Sequence, residues 1–147
     1  MLHMDKNATM GPDRFAVAAY WLAAAEQDLE AARELASRMP NVACFHAQQC
    51  SQKALKAVLV AVAGDVARSH LSDRLLGEAR ELKIDIPAEV VDDAQALDKF
   101  YITPRYPDAL GGSDIRTAFK NDEALGAIER AERVVTFAGE AISAERG

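Results

Sequence analysis

The sequence predicts an all-α protein, an antiparallel up-and-down bundle of four long helices plus a shorter one. Three observations carry this prediction. Apolar residues recur at alternating spacings of three and four along most of the chain, and no segment alternates with a period of two. Alanine is abundant and aromatics make up only 6% of the residues, which favours closely packed helices over sheets. Proline and glycine fall where such helices would start and stop.

The 147 residues suit one domain with a real core, half of them hydrophobic and 27% charged. Residues 1–11 read as a poorly ordered lead-in without the basic-then-apolar layout of a secretion signal, and residues 12–147 as the single bundle domain. Pro12 sits where a helix begins, since its missing N–H is not needed in the first turn. From there Ala18, Leu22, Ala25, Leu29, Ala32 and Ala36 form one apolar stripe, with Glu26, Glu30, Arg33 and Glu34 outside it. Met39-Pro40 ends this helix, and Asn41 is a candidate cap for the next.

The second helix is expected from about Val42 to Ala63, stopped by Gly64-Asp65. Projected at ~100° per residue, its apolar residues cover roughly 200°, which suits a central helix with neighbours on both sides. His46, Gln49, Gln52, Lys53 and Lys56 fall together in a polar stripe. Gln48 alone projects into the apolar arc and needs a hydrogen-bonding partner there. Leu71, Leu75, Leu76, Ala79 and Leu82 mark a third helix, capped by Ser69 or Ser72. Val90, Val91, Ala94, Leu97 and Phe100 mark a fourth, opened by Ile86-Pro87. The stretch YITPRYPDALGGSD then breaks the pattern as a structured connection. A last helix from about Asn121 to Ala144 carries Leu125, Ile128, Val135, Ala138 and Ile142.

Charge and cysteine usage narrow the function. A formal net charge of −6 disfavours indiscriminate nucleic-acid binding while leaving room for a local basic site. No apolar run approaches the ~18–20 residues that cross a membrane. Cys44 and Cys50 would point ~120° apart on one helix and cannot pair, so the cytoplasm is the expected compartment. There is no glycine-rich phosphate loop, HExxH, CxxC or Gly-x-Ser-x-Gly, and three histidines with two ill-placed cysteines make a poor zinc site. No cofactor or metal is expected. Asp92, Asp93 and Asp98 read as carboxylates on an exposed helix face.

Three places could carry chemistry. The stripe on the second helix is either a solvated face or a surface arranged to meet an anion or a partner, since it contains no acid of its own. Arg68-Ser69-His70 at the start of the third helix is either an anion site or a local packing element. Around Arg105-Tyr106 the prolines restrict the backbone, and Arg105 either pairs with Asp108 or contacts a phosphate or carboxylate.

Four segments in order carry a resemblance. They are Ala25-x-x-Asp28-Leu29; Phe45-His46-Ala47-Gln48-Gln49-x-x-x-Lys53-Ala54-Leu55-Lys56-Ala57; Ser69-His70-Leu71-x-x-x-Leu75-Leu76; and Leu97-Asp98-x-x-Tyr101-x-x-x-Arg105-Tyr106-Pro107-Asp108. Together they resemble the HEPN domain (higher eukaryotes and prokaryotes nucleotide-binding), from about residue 14 to residue 142. The resemblance implies an all-α up-and-down bundle, commonly a homodimer. It also implies likeness to partners of small nucleotidyltransferase proteins in toxin–antitoxin or defence modules.

Many members of the wider superfamily are metal-independent ribonucleases whose signature is an arginine followed, after about four to six residues, by a histidine on one helix. Here Arg38 precedes His46 by too much and across Pro40, and Arg68 precedes His70 by too little. The matched residues therefore point to binding rather than hydrolysis, with no catalytic residue assigned. Lys53 and Arg105 would meet an anion, His46 and His70 would position it and Gln49 would hydrogen-bond, with Lys56, Tyr106 and Asp108 in the same set. The ligand would be a nucleotide, RNA or a nucleotidyltransferase partner. The alternatives are a ribonuclease toxin whose arginine and histidine meet in space, and a purely structural homodimer.

Overall fold

The computed structural model describes residues 2–65, 69, 71–101, 114 and 118–147, with side chains from Asp13 onward. Its helices are α1 (Leu2–Leu35), α2 (Pro40–Ala63), α3 (Ser72–Glu81), α4 (Ala88–Leu97) and α5 (Asn121–Arg146), with a 3-10 turn at Asp98–Phe100. No strand occurs among the described residues. No helix there is long and apolar enough to cross a membrane.

Helix α1 begins at Leu2, ahead of the Pro12 start suggested by the sequence. Helix α2 begins at Pro40, whose absent N–H is not missed in a first turn, so Met39 and not Asn41 takes the cap position. Gly64 ends it in the left-handed region (φ 81°), its N–H donating to the Val60 carbonyl at 2.8 Å. Only glycine adopts that conformation without a Cβ penalty.

As its wide apolar arc requires, α2 is the central helix. Ala43, Ala47, Cys50, Ala54, Ala57 and Ala61 are fully buried, and their small side chains let neighbouring helices approach closely. Lys56 lies over Trp21 while His46 and Lys53 meet Asp28, so α1 and α2 run antiparallel. Arg146 lies over Phe15 and Arg33 pairs with Glu132, so α5 also runs against α1 and hence along α2. The backbone of Ser72 meets Asp98, which makes α3 and α4 a short antiparallel hairpin on another flank of α2. Leu59, Leu75 and Leu97 are sealed in the core, each contributing on the order of 2 kcal/mol.

Helix α5 turns inward the face the sequence suggested, with Val135 and Ile142 partly buried against the core, except at Leu125. Ala124, Ala127, Ile128, Ala131, Val134 and Ala138 are buried, and Leu125 is 48% exposed. The alanine-rich side packs closest to the other helices, and Leu125 lies about 100° round from Ala124. Leu71 and Leu82 are likewise exposed, because α3 starts after one and ends before the other.

Candidate functional site

The polar residues of α2 converge on a carboxylate from the neighbouring helix. His46 and Lys53 are seven residues apart, two turns along one line of α2, so both side chains reach the same point on α1. That point is Asp28, which is 8% exposed. His46 Nδ1 lies 2.8 Å from Asp28 Oδ1, and Lys53 Nζ lies 2.7 Å from Oδ2. The lysine contact is a close ion pair.

Burial alone would raise the Asp28 carboxyl. The contacts and charges of His46 and Lys53 outweigh it and hold the group below its usual range. Asp28 is thus ionised at neutral pH and accepts the Nδ1 proton of His46. This assigns the tautomer and leaves Nε2 for a further partner. The side chains of His46 and Lys53 keep 30% and 29% of their surface exposed. The edge-on ring of Phe45, 5.8 Å between centroids, supports the imidazole. Because Asp28 balances Lys53, the cluster offers the remaining N–H groups of Lys53 and the accepting Nε2 of His46 more than net positive field.

A second polar set ties α2 to the α3–α4 hairpin. Gln48 is fully buried and finds the partners its position demanded. Its Oε1 accepts from Gln49 Nε2 at 2.8 Å, and its Nε2 makes a long 3.4 Å contact to Asp98 Oδ1. Asp98 also accepts the backbone N–H of Ser72 at 2.8 Å and faces its hydroxyl at 2.8 Å. A carboxylate from the end of α4 therefore does the capping expected of Ser69 or Ser72.

The rest of the stripe is not an open surface. Gln52 is 2% exposed and Lys56 8%, contrary to the projection that placed them on a polar exterior. Lys56 Nζ sits 5.2 Å above the Trp21 ring, and burial, with the nearby Lys53, lowers its ammonium pKa. Gln52 Oε1 and Ser51 Oγ are buried with no hydrogen-bond partner among the described residues.

The acidic residues of α4 also depart from expectation. Asp92 is exposed, but Asp93 is 1% exposed and bound by Arg130 Nη1 at 3.0 Å and by Arg133 Nε at 2.7 Å. Among the described residues no three metal-ligating side chains converge. Both cysteines are buried, and burial pushes each thiol up to about 12, so neither is a nucleophile at neutral pH.

Of the residues singled out in the sequence, His46 and Lys53 share one partner, and Gln49 joins the adjoining Gln48 network. Lys56 belongs to the buried seam beside Trp21. His70, Arg105, Tyr106 and Asp108, like Arg68, lie outside the described residues. Asp28, Asp98 and Trp21 had no role assigned from the sequence. An aspartate beside the apolar stripe of α1, facing a helix with cations but no acid, is the signal that could have found Asp28.

Three comparisons bear on this arrangement. The pattern of the HEPN domain family matches residues 18–142, which includes Asp28, His46 and Lys53. A protein of Methanocaldococcus jannaschii named "Putative toxin MJ1304" is 31% identical over 96 residues. That match covers 60% of this chain and 62% of the relative, so this chain spans less than two thirds of the relative's length. The crystal structure of TT1696 from Thermus thermophilus superposes with a TM-score of 0.77 at 34% identity, covering 84% of this chain and 97% of that one. The crystal structure of ST0689, named as an archaeal HEPN homologue, gives a TM-score of 0.70 at 32% identity, covering 85% and 97%.

Proposed function

The chain belongs to the HEPN domain family, and on that premise we propose that it is a binding member, taking a nucleotide or a small nucleotidyltransferase partner at the Asp28–His46–Lys53 cluster. One observation carries the reading. A single ionised carboxylate fixes an imidazole and an ammonium side by side, and each keeps about a third of its surface open. A fixed ammonium donor beside a fixed imidazole whose Nε2 accepts suits recognition of a nucleotide's phosphate and hydroxyl or amino groups, or of a polar partner group, because little side-chain entropy is lost on binding. Gln49 borders the site from the same face of α2. His70, Arg105, Tyr106 and Asp108 are assigned to it from the family resemblance of their segments. Lys56 supports the seam rather than the ligand. A cytoplasmic homodimer acting within a toxin–antitoxin or defence module completes the proposal, and the toxin name of the Methanocaldococcus relative supports the module.

Calorimetry with ATP and AMP, and size-exclusion chromatography with a small nucleotidyltransferase protein, test the reading. Binding of a nucleotide or of the partner is expected, weakened about tenfold (~1.4 kcal/mol) by His46→Ala or Lys53→Ala. Absence of both interactions, or unchanged affinity in both variants, refutes it.

The pairing of Asp28 with His46 favours one other reading. A carboxylate-held imidazole is the arrangement that serves proton transfer, which a ribonuclease needs. Against it, Arg38 is exposed in the turn before α2, off the helix that carries His46. Cleavage of single-stranded RNA by the wild-type chain and its loss in His46→Ala would select the ribonuclease.

A further inference from the structure

A second surface lies on the opposite flank of α1. Glu26 and Glu30 each project about 200° from Asp28 around the helix, so they face away from the His46 cluster. Two concavities adjoin there, on either side of a ridge formed by Glu132 and Thr136 of α5. One, of about 530 Å³, lies between α1 and α5 over Leu29 and Val135. The other, of about 360 Å³, lies between α4 and α5 over Val90 and Phe137.

The walls are strongly acidic. Glu26, Glu30, Glu89, Glu129, Glu132 and Glu140 line the two concavities against Arg33 and Arg133 alone, six acids less two bases, or −4 out of the chain's −6. Both arginines are already engaged, Arg33 by Glu132 and Arg133 by Asp93. Glu26, Glu30, Glu89, Glu129 and Glu140 are exposed, with no lysine or arginine ion pair among the described residues.

These carboxylates stand on three helices and extend about 16 Å along α5, from Glu129 to Glu140 at 1.5 Å per residue. They do not converge, so a single metal ion cannot satisfy them. Apolar floors under a carboxylate rim match a segment with apolar side chains on one face and basic ones beside them.

We propose that this double groove is a docking site for a basic amphipathic helical segment of a protein partner, separate from the His46 cluster. The partner's apolar side chains seat over Leu29, Val135, Val90 and Phe137, and its lysines or arginines meet the free glutamates. Complementary charge sets the rate and register of such docking, and apolar burial holds it.

The probe is a fluorescent peptide of about 14 residues, long enough for ~21 Å of helix, with leucine and lysine at helical spacing. Its controls are a lysine–serine peptide of equal charge and a leucine–glutamate peptide. Anisotropy is measured on the wild type, on Glu89→Lys/Glu140→Lys in the groove, and on Asp13→Lys/Glu81→Lys away from it. All four sites are exposed, so the fold is retained.

Expected are binding of the leucine–lysine peptide alone, about tenfold weakening in the groove variant, less than about twofold in the distant one, and no change in His46→Ala. Equal weakening in both double variants would reduce the effect to bulk charge and overturn the proposal. Equal binding of the lysine–serine peptide, or no binding of any peptide, would overturn it too.

Discussion

Replacing Asp28 with asparagine keeps the side-chain shape and withdraws the charge on which two donors converge. In the native protein Oδ1 accepts the hydrogen bond of His46 Nδ1 at 2.8 Å, and Oδ2 holds the Lys53 ammonium at 2.7 Å. Hydrogen bonds to charged groups are worth about 1.5–3 kcal/mol. His46 and Lys53 stay 30% and 29% exposed, so water recovers part of what each loses. Asp28→Asn should therefore destabilise the fold by about 1–2 kcal/mol at pH 7.

The sign of the pH dependence follows from the carboxyl being held below its unfolded value, which is about 3.9. Its contribution is complete above that value and is lost as pH falls through the lower folded one. Urea unfolding followed by circular dichroism measures the difference between wild type and variant at neutral and acid pH. The gap should be constant from neutral pH to about pH 5 and should close below about pH 4. A gap of zero at neutral pH, or one equally large in acid, would refute the reasoning.

Asp93→Asn withdraws the charge shared by Arg130 and Arg133, whose side chains are each 41% exposed, so about 2–3 kcal/mol is expected, read as a lower urea midpoint with unchanged slope. Asp98→Ala removes the remote cap of α3 and the Gln48 contact together. It should cost about 1–3 kcal/mol and accelerate hydrogen exchange first at the Ser72 amide. Both cysteines, with thiols near 12, should resist a disulfide reagent at pH 8 in the folded protein and react at once in urea. Rapid labelling of the native chain would contradict the burial of Cys44 and Cys50.

Much of the fold was legible because its signals are local. The alternation Ala18, Leu22, Ala25, Leu29 fixes the buried face of α1 without knowledge of its neighbour. Pro40 and Gly64 bound α2 through constraints on their own backbone. The central place of α2 followed from the width of its apolar arc.

What escaped depends on pairs of helices. Projection of α2 alone put Gln52 and Lys56 outside, but α1 brings Trp21 against Lys56. His46 and Lys53 looked like cations without an acid, and the acid stands eighteen residues before His46 on another helix. Asp93 looked exposed until α5 supplied two arginines. Leu125 was counted inward for its size, whereas the closest helix contact selects the alanines of α5.

The most direct test is the imidazole of His46 itself, observed by proton–nitrogen NMR as ATP or the nucleotidyltransferase partner is added, with His46→Ala giving the assignment. The account predicts an Nδ1-protonated ring in the free protein and a saturable shift at Nε2 that Lys53→Ala weakens. An Nε2-protonated ring, or a His46 signal unmoved at saturating nucleotide and partner, would contradict it.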